Sequence, residues 1–517
     1  MRLHQYVIDA AAASPGAVAV VGPDGVLTYG LLDLLADRYA AALRSRGVGV
    51  GDRVLIWSGK SVHAVAVMQA ALRIGAVYVP VSSANPVARV ARVARDCAAA
   101  VAVLDSGQDG RGSALEERCG VPAVAADELL DLARPGSRPG PHRGEPDDPA
   151  YILYTSGSTG DPKGVCLSHR NATAFVRWAG DLLGVGPDDR LANHAPFNFD
   201  LSVFDLYAAF RAGASVHLIT AELSYAPAEL VRFLAERDIS VWYSVPSVLL
   251  LMMRFGGLLD TEAPPALRAC VFAGEPFPIG QLQVLRKAWS GVRLLNWYGP
   301  TETNVCTWYE VTEADLARTE PLPIGRPACG DAVRLEPVGD AAGAEAEIVV
   351  EGPTVMLGYW GRPPRQGPYR TGDLGRSGPG GVLEYAGRRD QMVKVRGNRI
   401  ELGEIEAAIS TLPSVADVAV VAYGAELETG LRAVVVPVPG ARVTLREVKR
   451  HCAERLPPYM VVDELRVAAA LPLTANGKKD RAALAAGADG AIGGHRAAPA
   501  VMDRPERPAG SDPEGPP

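Results

Sequence analysis

A chain of 517 residues and 54.4 kDa is too long for one ordinary core, and 48% hydrophobic with 21% charged residues is a globular composition able to fill two or three. The formal charge of −7 and pI near 5.7 speak against a nucleic-acid binder, which would carry an excess of Lys and Arg. No apolar run reaches the roughly 18 residues of a membrane span, and the start MRLHQYVIDAAAASPG lacks a secretory pattern, so a cytoplasmic protein with no membrane and no nucleic-acid partner is expected.

In chain order, short apolar runs alternate with helical patterns over the first 385 or so residues. Val54–Trp57, Val101–Leu104, Val216–Ile219, Val241–Val245 and Ala269–Ala273 read as strands, and Leu31–Arg44 and Val62–Leu72 as helices. This alternation predicts an α/β fold: a large N-terminal domain of layered, largely parallel sheets and helices. Residues 134–149, rich in Pro, Gly and charge, read as an exposed connector. Beyond Gly387 a smaller α+β block follows, with a helix over Glu404–Leu412 and strands over Val415–Ala422 and Ala433–Pro437. A second helix is opened by Thr444 and Glu447 in capping-box spacing, with Leu445, Val448, Cys452 and Leu456 on one face. The expected division is 1–386 for the core, 387–390 for a hinge, 391–485 for a mobile C-terminal domain and 486–517 for an Ala/Gly/Pro-rich disordered tail. The seven cysteines form no CxxC pair, which predicts reduced, buried thiols rather than a zinc site.

The most informative segment is Tyr151-Ile-Leu-Tyr-Thr-Ser-Gly-Ser-Thr-Gly-Asp-Pro-Lys-Gly-Val165. A strand runs directly into a loop of hydroxyl residues and glycines closed by a lysine. Such a loop turns backbone N–H groups, hydroxyls and an ammonium toward an anion, and it is not a Walker A loop because GxxxxGK[ST] is absent. The string resembles the signature of the adenylate-forming superfamily of acyl-CoA synthetases, luciferases and nonribosomal-peptide adenylation domains. The resemblance continues in order through Leu27-Thr-Tyr29, Arg73-Ile-Gly-Ala-Val-Tyr-Val-Pro80, Asn296-Trp-Tyr-Gly-Pro-Thr-Glu302 and Tyr369-Arg-Thr-Gly-Asp373. Gly387-Arg-Arg-Asp390, Val393-Lys-Val-Arg-Gly397, Arg399-Ile-Glu-Leu-Gly-Glu404 and Asn476-Gly-Lys478 complete it.

The resemblance implies two half-reactions: a carboxylate attacks the α-phosphate of ATP to give an acyl-adenylate and pyrophosphate, then a thiol displaces AMP. It implies that Thr155, Ser156, Gly157, Ser158, Thr159, Gly160 and Lys163 hold the β- and γ-phosphates, that Glu302 carries Mg²⁺, and that Thr301 lies beside the α-phosphate. Tyr298 would stack on adenine and Asn296 would bond its amino edge. Asp373 would accept the ribose hydroxyls, with Tyr385 and Arg388 closing over the sugar. Lys478 would bridge the substrate carboxylate and the α-phosphate. Asp390 would be the hinge about which Lys478 leaves and the Val393–Gly397 loop approaches for thioester formation.

Asp200 separates amino-acyl from acyl substrates. It aligns with the family aspartate that pairs with a substrate ammonium, and a carboxylate facing an apolar wall is costly unless a cation meets it. Its alternative role is to cap the helix that begins at Leu201. The remaining wall, read by motif, is Leu201, Phe204, Tyr243, Val271, Ala273, Trp297, Val305 and Cys306, closed by Lys478. With no second charge it suits a small apolar amino acid. The series resembles that of free-standing prolyl-carrier-protein ligases and departs from it at Phe204, Val271 and Trp297, where Leu is usual. Other departures, at Ala346, Met392 and Val462, touch no expected catalytic atom. Proline is the first choice, followed by a proline analogue or alanine. No phosphopantetheine-attachment or condensation motif follows Lys478, so the acceptor thiol is expected on a separate phosphopantetheinylated carrier protein. An acyl-CoA or aryl-acid ligase using coenzyme A, and a binding module that has lost catalysis, are the rival readings. Intact Lys163, Glu302, Asp373 and Lys478 weigh against the second of these.

Overall fold

Val- and Ala-rich runs become strands buried on both faces, since they offer apolar side chains to a helical layer on each side. A computed structural model describes residues 1–107, 110–132, 138–157, 161–338, 346–389, 392–424, 429–472 and 479–486. Two large sheets dominate it. The first orders its strands as Arg326–Pro327, Thr307–Glu310, Arg293–Tyr298, Ala269–Ala273, Val241–Ser244, Arg190–Asn193, Ser215–Leu218, Val18–Gly22 and Gly25–Thr28. From Arg293–Tyr298 to Val18–Gly22 its neighbours are parallel. The second runs Gly358–Tyr359, Lys163–Ser168, Pro149–Thr155, Val77–Ser82, Arg53–Ser58, Ala99–Leu104 and Ala123–Ala125.

Helices lie between the two sheets and outside each of them. Val62–Arg73 is buried at every position but His63 and opens on Ser61, whose hydroxyl accepts from the Ala64 N–H. It shares one core with Val54 and Tyr151 of the second sheet and Val20 and Val216 of the first. Leu249 and Leu285 pack on the outer face of the first sheet, Val90 and Leu115 on that of the second. A four-stranded antiparallel sheet (Ala332–Pro337, Ala346–Glu351, Tyr369–Ser377, Leu383–Arg388) packs Ile348 and Leu383 against Tyr298. The parallel strands therefore deliver their carboxyl ends to one side, where crevices for ligands form in such sheets.

Beyond Met392 a hairpin of Met392–Val395 and Asn398–Glu401 leads into helix Leu402–Ser410. A three-stranded sheet follows (Val415–Tyr423, Gly430–Pro437, Glu464–Val467), with helix Leu445–Ala453 on the same core. The α/β class with a smaller α+β domain is as expected. The capping box is only half made: Thr444 accepts from the Glu447 N–H, but the Glu447 carboxylate takes the Ser414 hydroxyl instead of turning back. The expected hinge residue Asp390 and the tail beyond Ala486 lie outside the described residues.

Candidate active site

Strand Pro149–Thr155 turns at Ser156 and Gly157 and returns as Lys163–Ser168, with Thr155 opposite Lys163. Gly157 is required there because a Cβ would stand 1.9 Å from the Asp161 carbonyl oxygen. The structure thus brings Thr155, Ser156 and Lys163 together, and the Lys163 ammonium lies over the Tyr359 ring at 5.9 Å. Ser158, Thr159 and Gly160 lie outside the described residues, as does Lys478.

Strand Arg293–Tyr298 carries Asn296, Trp297 and Tyr298, then a tight turn leaves Thr301 half-buried and buries Glu302. The Tyr298 hydroxyl donates to Asp373 Oδ2 at 2.6 Å, and Arg388 Nη1 donates to Asp373 Oδ1 at 2.6 Å. Each Asp373 oxygen keeps a lone pair for a further donor. Tyr385 packs on Tyr298 with centroids 6.3 Å apart, and Asn296 spends one amide N–H on the Pro323 carbonyl. The six residues expected at the nucleoside and α-phosphate, Tyr298, Asn296, Asp373, Tyr385, Arg388 and Thr301, therefore converge on one side of the sheet end.

Glu302 is a buried carboxylate. Tyr359 donates its hydroxyl to Oε1 and Arg399 its guanidinium to Oε2, both at 2.8 Å. Burial opposes ionisation, but the Arg399 charge and these hydrogen bonds outweigh it and hold the carboxyl below its ordinary value. A single carboxylate beside a hydroxyl-lined phosphate loop fits Mg²⁺, which is commonly held by one or two carboxylates and substrate phosphates. Among the described residues no group of three or more His, Cys, Asp or Glu forms a protein-only cage.

Asp200 immediately precedes helix Leu201–Ala212 but makes no side-chain cap bond, which sets aside its capping role. Its carboxylate opens on a cavity of about 70 Å³ whose apolar wall includes Phe175, Leu201, Tyr243, Ala273 and Val305. Burial raises its pKa, against the opposing pull of the Thr301 hydroxyl and the Leu201 backbone. Phe204, Val271, Trp297 and Cys306, all expected on the wall, do not line this cavity; they stand behind it. Trp297 packs edge-on against Tyr243 (5.1 Å) and Phe204 (5.3 Å) and so backs the wall that Tyr243 presents. The Cys306 thiol is turned to the Tyr298 carbonyl.

The Val393–Gly397 loop expected to approach the site does line the cavity, while Met392 and Arg399 beside it were not assigned to it from sequence. Met392, Lys394, Gly397 and Arg399 all line it. Burial lowers the Lys394 ammonium below its usual value, with Asp373 working in the other direction. At the hairpin tip the Gly397 N–H donates to the Glu275 carboxylate, whose other oxygen accepts from the Ser247 N–H. Gly397 has φ +78°, and a Cβ there would meet Val245 at 2.7 Å. Arg89 and Glu404 form a buried ion pair of 2.5 Å between the large and small domains. The signal for these pairings was present only as unexplained charges inside motifs.

Comparison with known proteins agrees with this geometry. The AMP-binding enzyme family model matches residues 7–360 and the AMP-binding enzyme C-terminal domain matches 404–478. An L-proline–[L-prolyl-carrier protein] ligase of Pseudomonas fluorescens is 47% identical over 499 residues, 94% of this chain and 99% of that protein. A ligase of the same name from Streptomyces coelicolor is 40% identical, covering 91% and 94%. The crystal structure of IdnL1 superposes with a TM-score of 0.75 at 29% identity over 91% of this chain and 99% of that one. Amide bond synthetase McbA from Marinactinospora thermotolerans does so with 0.84 at 25% over 94% and 99%. The chain belongs to the AMP-binding enzyme family.

Proposed function

We propose that the chain is an AMP-forming ligase that adenylates L-proline and passes the prolyl group to the phosphopantetheine thiol of a separate carrier protein. The observation that carries the amino-acid reading is Asp200, a carboxylate beside apolar side chains of the cavity that forms no ion pair with any described residue. The ammonium of a small amino acid supplies the missing charge, and Phe175, Leu201, Ala273 and Val305 beside it offer no partner to a charged side chain. The identity to two prolyl-carrier-protein ligases over most of the chain supports proline as that amino acid.

In the first half-reaction Asp200 fixes the ammonium while Leu201, Tyr243, Ala273 and Val305 enclose the ring, so the carboxylate points toward Thr301. Its oxygen forms a bond to the α-phosphorus as the bond to pyrophosphate breaks. Thr155, Ser156 and Lys163 hold the departing phosphates, and Lys478 offsets the charge of two approaching anions. Tyr298, Asn296, Tyr385, Asp373 and Arg388 hold the nucleoside. Mg²⁺, when bound at Glu302, would neutralise phosphate charge. In the second half-reaction the thiol sulfur attacks the acyl carbon and the bond to AMP breaks. The hairpin carrying Lys394 and Gly397 lines the cavity in this structure, which supports its role in that step. Seven free thiols, six of them buried, suit the reducing cytoplasm as the place of action. No helix among the described residues is long and apolar enough to cross a membrane.

Amino-acid-dependent ATP–pyrophosphate exchange over proline, pipecolate, alanine and benzoate tests the reading, followed by loading of a phosphopantetheinylated carrier against coenzyme A. Exchange with proline and transfer to the carrier are expected. Exchange with benzoate alone, or transfer only to coenzyme A, refutes amino-acyl transfer. Exchange with alanine but not proline refutes the substrate alone.

A further inference from the structure

Asn304 stands where a glycine would be more comfortable. It closes the turn Thr301–Thr303 with φ +50° and ψ −124°, a combination that strains any residue carrying a Cβ. Its side chain adds a second cost. The residue is 3% exposed, and neither Oδ1 nor Nδ2 has a hydrogen-bond partner among the described residues, although a buried amide normally fills both. Strain and an unsatisfied polar group on one residue collect at sites where a ligand offsets them. The position fits, because Asn304 lines the same cavity as Asp200 and Thr301. Tyr151, buried and stacked on Tyr78 at 5.3 Å, also has a hydroxyl with no partner among the described residues. Burial first, then Tyr207 and Asp200, push the pKa of that hydroxyl up, and the Asn304 amide works the other way. Tyr151, Asp200 and Asn304 therefore lie within one another's influence.

We propose that Asn304 is a substrate-binding residue whose carboxamide oxygen accepts one N–H of the substrate ammonium while Asp200 takes the other. The inference rests on the ammonium pocket of the proposed function and adds to it a second, neutral acceptor. A secondary ammonium carries two N–H donors, so one carboxylate and one carboxamide oxygen satisfy it. Nδ2 then has the Tyr151 hydroxyl as its acceptor. Substrate thus removes the unsatisfied amide, and the strained backbone holds that amide at the cavity before the substrate arrives.

Asn304→Gly removes the carboxamide and relieves the backbone at once, whereas Asn304→Ala removes the carboxamide and keeps the strain. Pyrophosphate exchange on the full chain gives KM and kcat for proline. Inhibition of that exchange by L-prolinol, which keeps the ammonium and lacks the carboxylate, reads ammonium binding by itself. Both variants should raise the proline KM and the prolinol inhibition constant about tenfold or more, as expected for a lost hydrogen bond to a charged group, with the loss falling on KM rather than kcat. Asn304→Gly should melt no lower than the wild type and above Asn304→Ala. An asparagine that only supports the fold gives the reverse: a lower melting temperature for Asn304→Gly with wild-type KM and inhibition constant, which overturns the proposal. A raised KM with an unchanged inhibition constant puts the amide on the carboxylate and overturns the ammonium contact. So does wild-type exchange with proline that prolinol does not inhibit. No exchange with proline at all overturns the proposed function, and the inference with it.

Discussion

Replacing Trp297 by Leu tests the claim that a second layer of aromatics sets the size of the substrate cavity. Trp297 is 1% exposed and sits in a cluster with Tyr243 at 5.1 Å, Phe204 and Trp178 at 5.3 Å, and Phe175 at 6.0 Å. Its indole N–H has no partner, so nothing polar is lost on its removal. Trimming the indole to an isobutyl group should destabilise the fold by about 2–4 kcal/mol, from lost transfer and cavity terms and the broken aromatic pairs. The vacated space lies behind Tyr243, which lines the cavity, so Tyr243 gains room to tip back and admit one more ring methylene. A methylene in an apolar pocket is worth about 1–3 kcal/mol in discrimination. The ratio of kcat/KM for proline over pipecolate should therefore fall about tenfold or more, read by pyrophosphate exchange on protein shown folded by its thermal transition. A folded Trp297→Leu variant with the wild-type ratio refutes the argument that Trp297 backs the cavity wall.

Asp200 predicts a pH effect on substrate use. Its carboxyl is raised by burial in the free protein and must be ionised to pair with an ammonium, so kcat/KM for proline should fall with acidity, with an apparent pKa above the ordinary carboxylate value; a profile flat down to the ordinary value counts against the pairing. Stability should also fall in acid. Burial first, then neighbouring cations, lowers His4 and His194 to about 3, while burial with Arg2 for His169, and with Arg190 for His217, lowers those two to about 4. Their stabilising contribution is complete above the unfolded value near 6.5 and is lost toward pH 4, at about 1.4 kcal/mol per histidine per pH unit. A melting temperature unchanged between pH 7 and pH 5 contradicts this. Arg89→Ala leaves Glu404 buried without its partner whenever the small domain is seated. Thioester transfer from supplied prolyl-adenylate should drop at least tenfold, because breaking a buried pair costs about 3–5 kcal/mol, while pyrophosphate exchange stays near wild type. Equal loss in both assays refutes an interdomain role for the pair.

Much of the site was legible because its residues sit in contiguous strings. The run from Tyr151 to Val165 joins strand to phosphate loop, and Asn296 to Glu302 joins the sheet end to a buried carboxylate. The cavity wall was less legible. Phe204, Val271 and Trp297 were expected on the wall, yet Tyr243 and Ala273 stand in front of them. The parallel register places Tyr243 beside Val271 and Ala273 beside Trp297, so which side chain is foremost depends on how rings from three strands and a helix stack. Sequence spacing does not encode that. Arg399 shows the same limit for charge. Its motif was recognised, but its pairing with Glu302 arises only when two domains meet.

The charges around the cavity show why the hairpin matters to both half-reactions. Among the described residues, the large domain contributes Asp200, Glu275, Glu302 and Asp373, set against Arg388. Without the hairpin this is an acidic site, held apart from the cationic phosphate loop at Lys163. Such a site attracts cations, which is what the proposed placing of a metal at Glu302 and an ammonium at Asp200 needs. With the hairpin in place, Arg399 answers Glu302, Lys394 faces Asp373, and the Gly397 N–H answers Glu275. Asp200 forms no ion pair with a described residue even then, so on the proposed function it stays available to the aminoacyl group. One hairpin can therefore exchange the electrostatics of the first reaction for those of the second without disturbing the pocket that chose the amino acid.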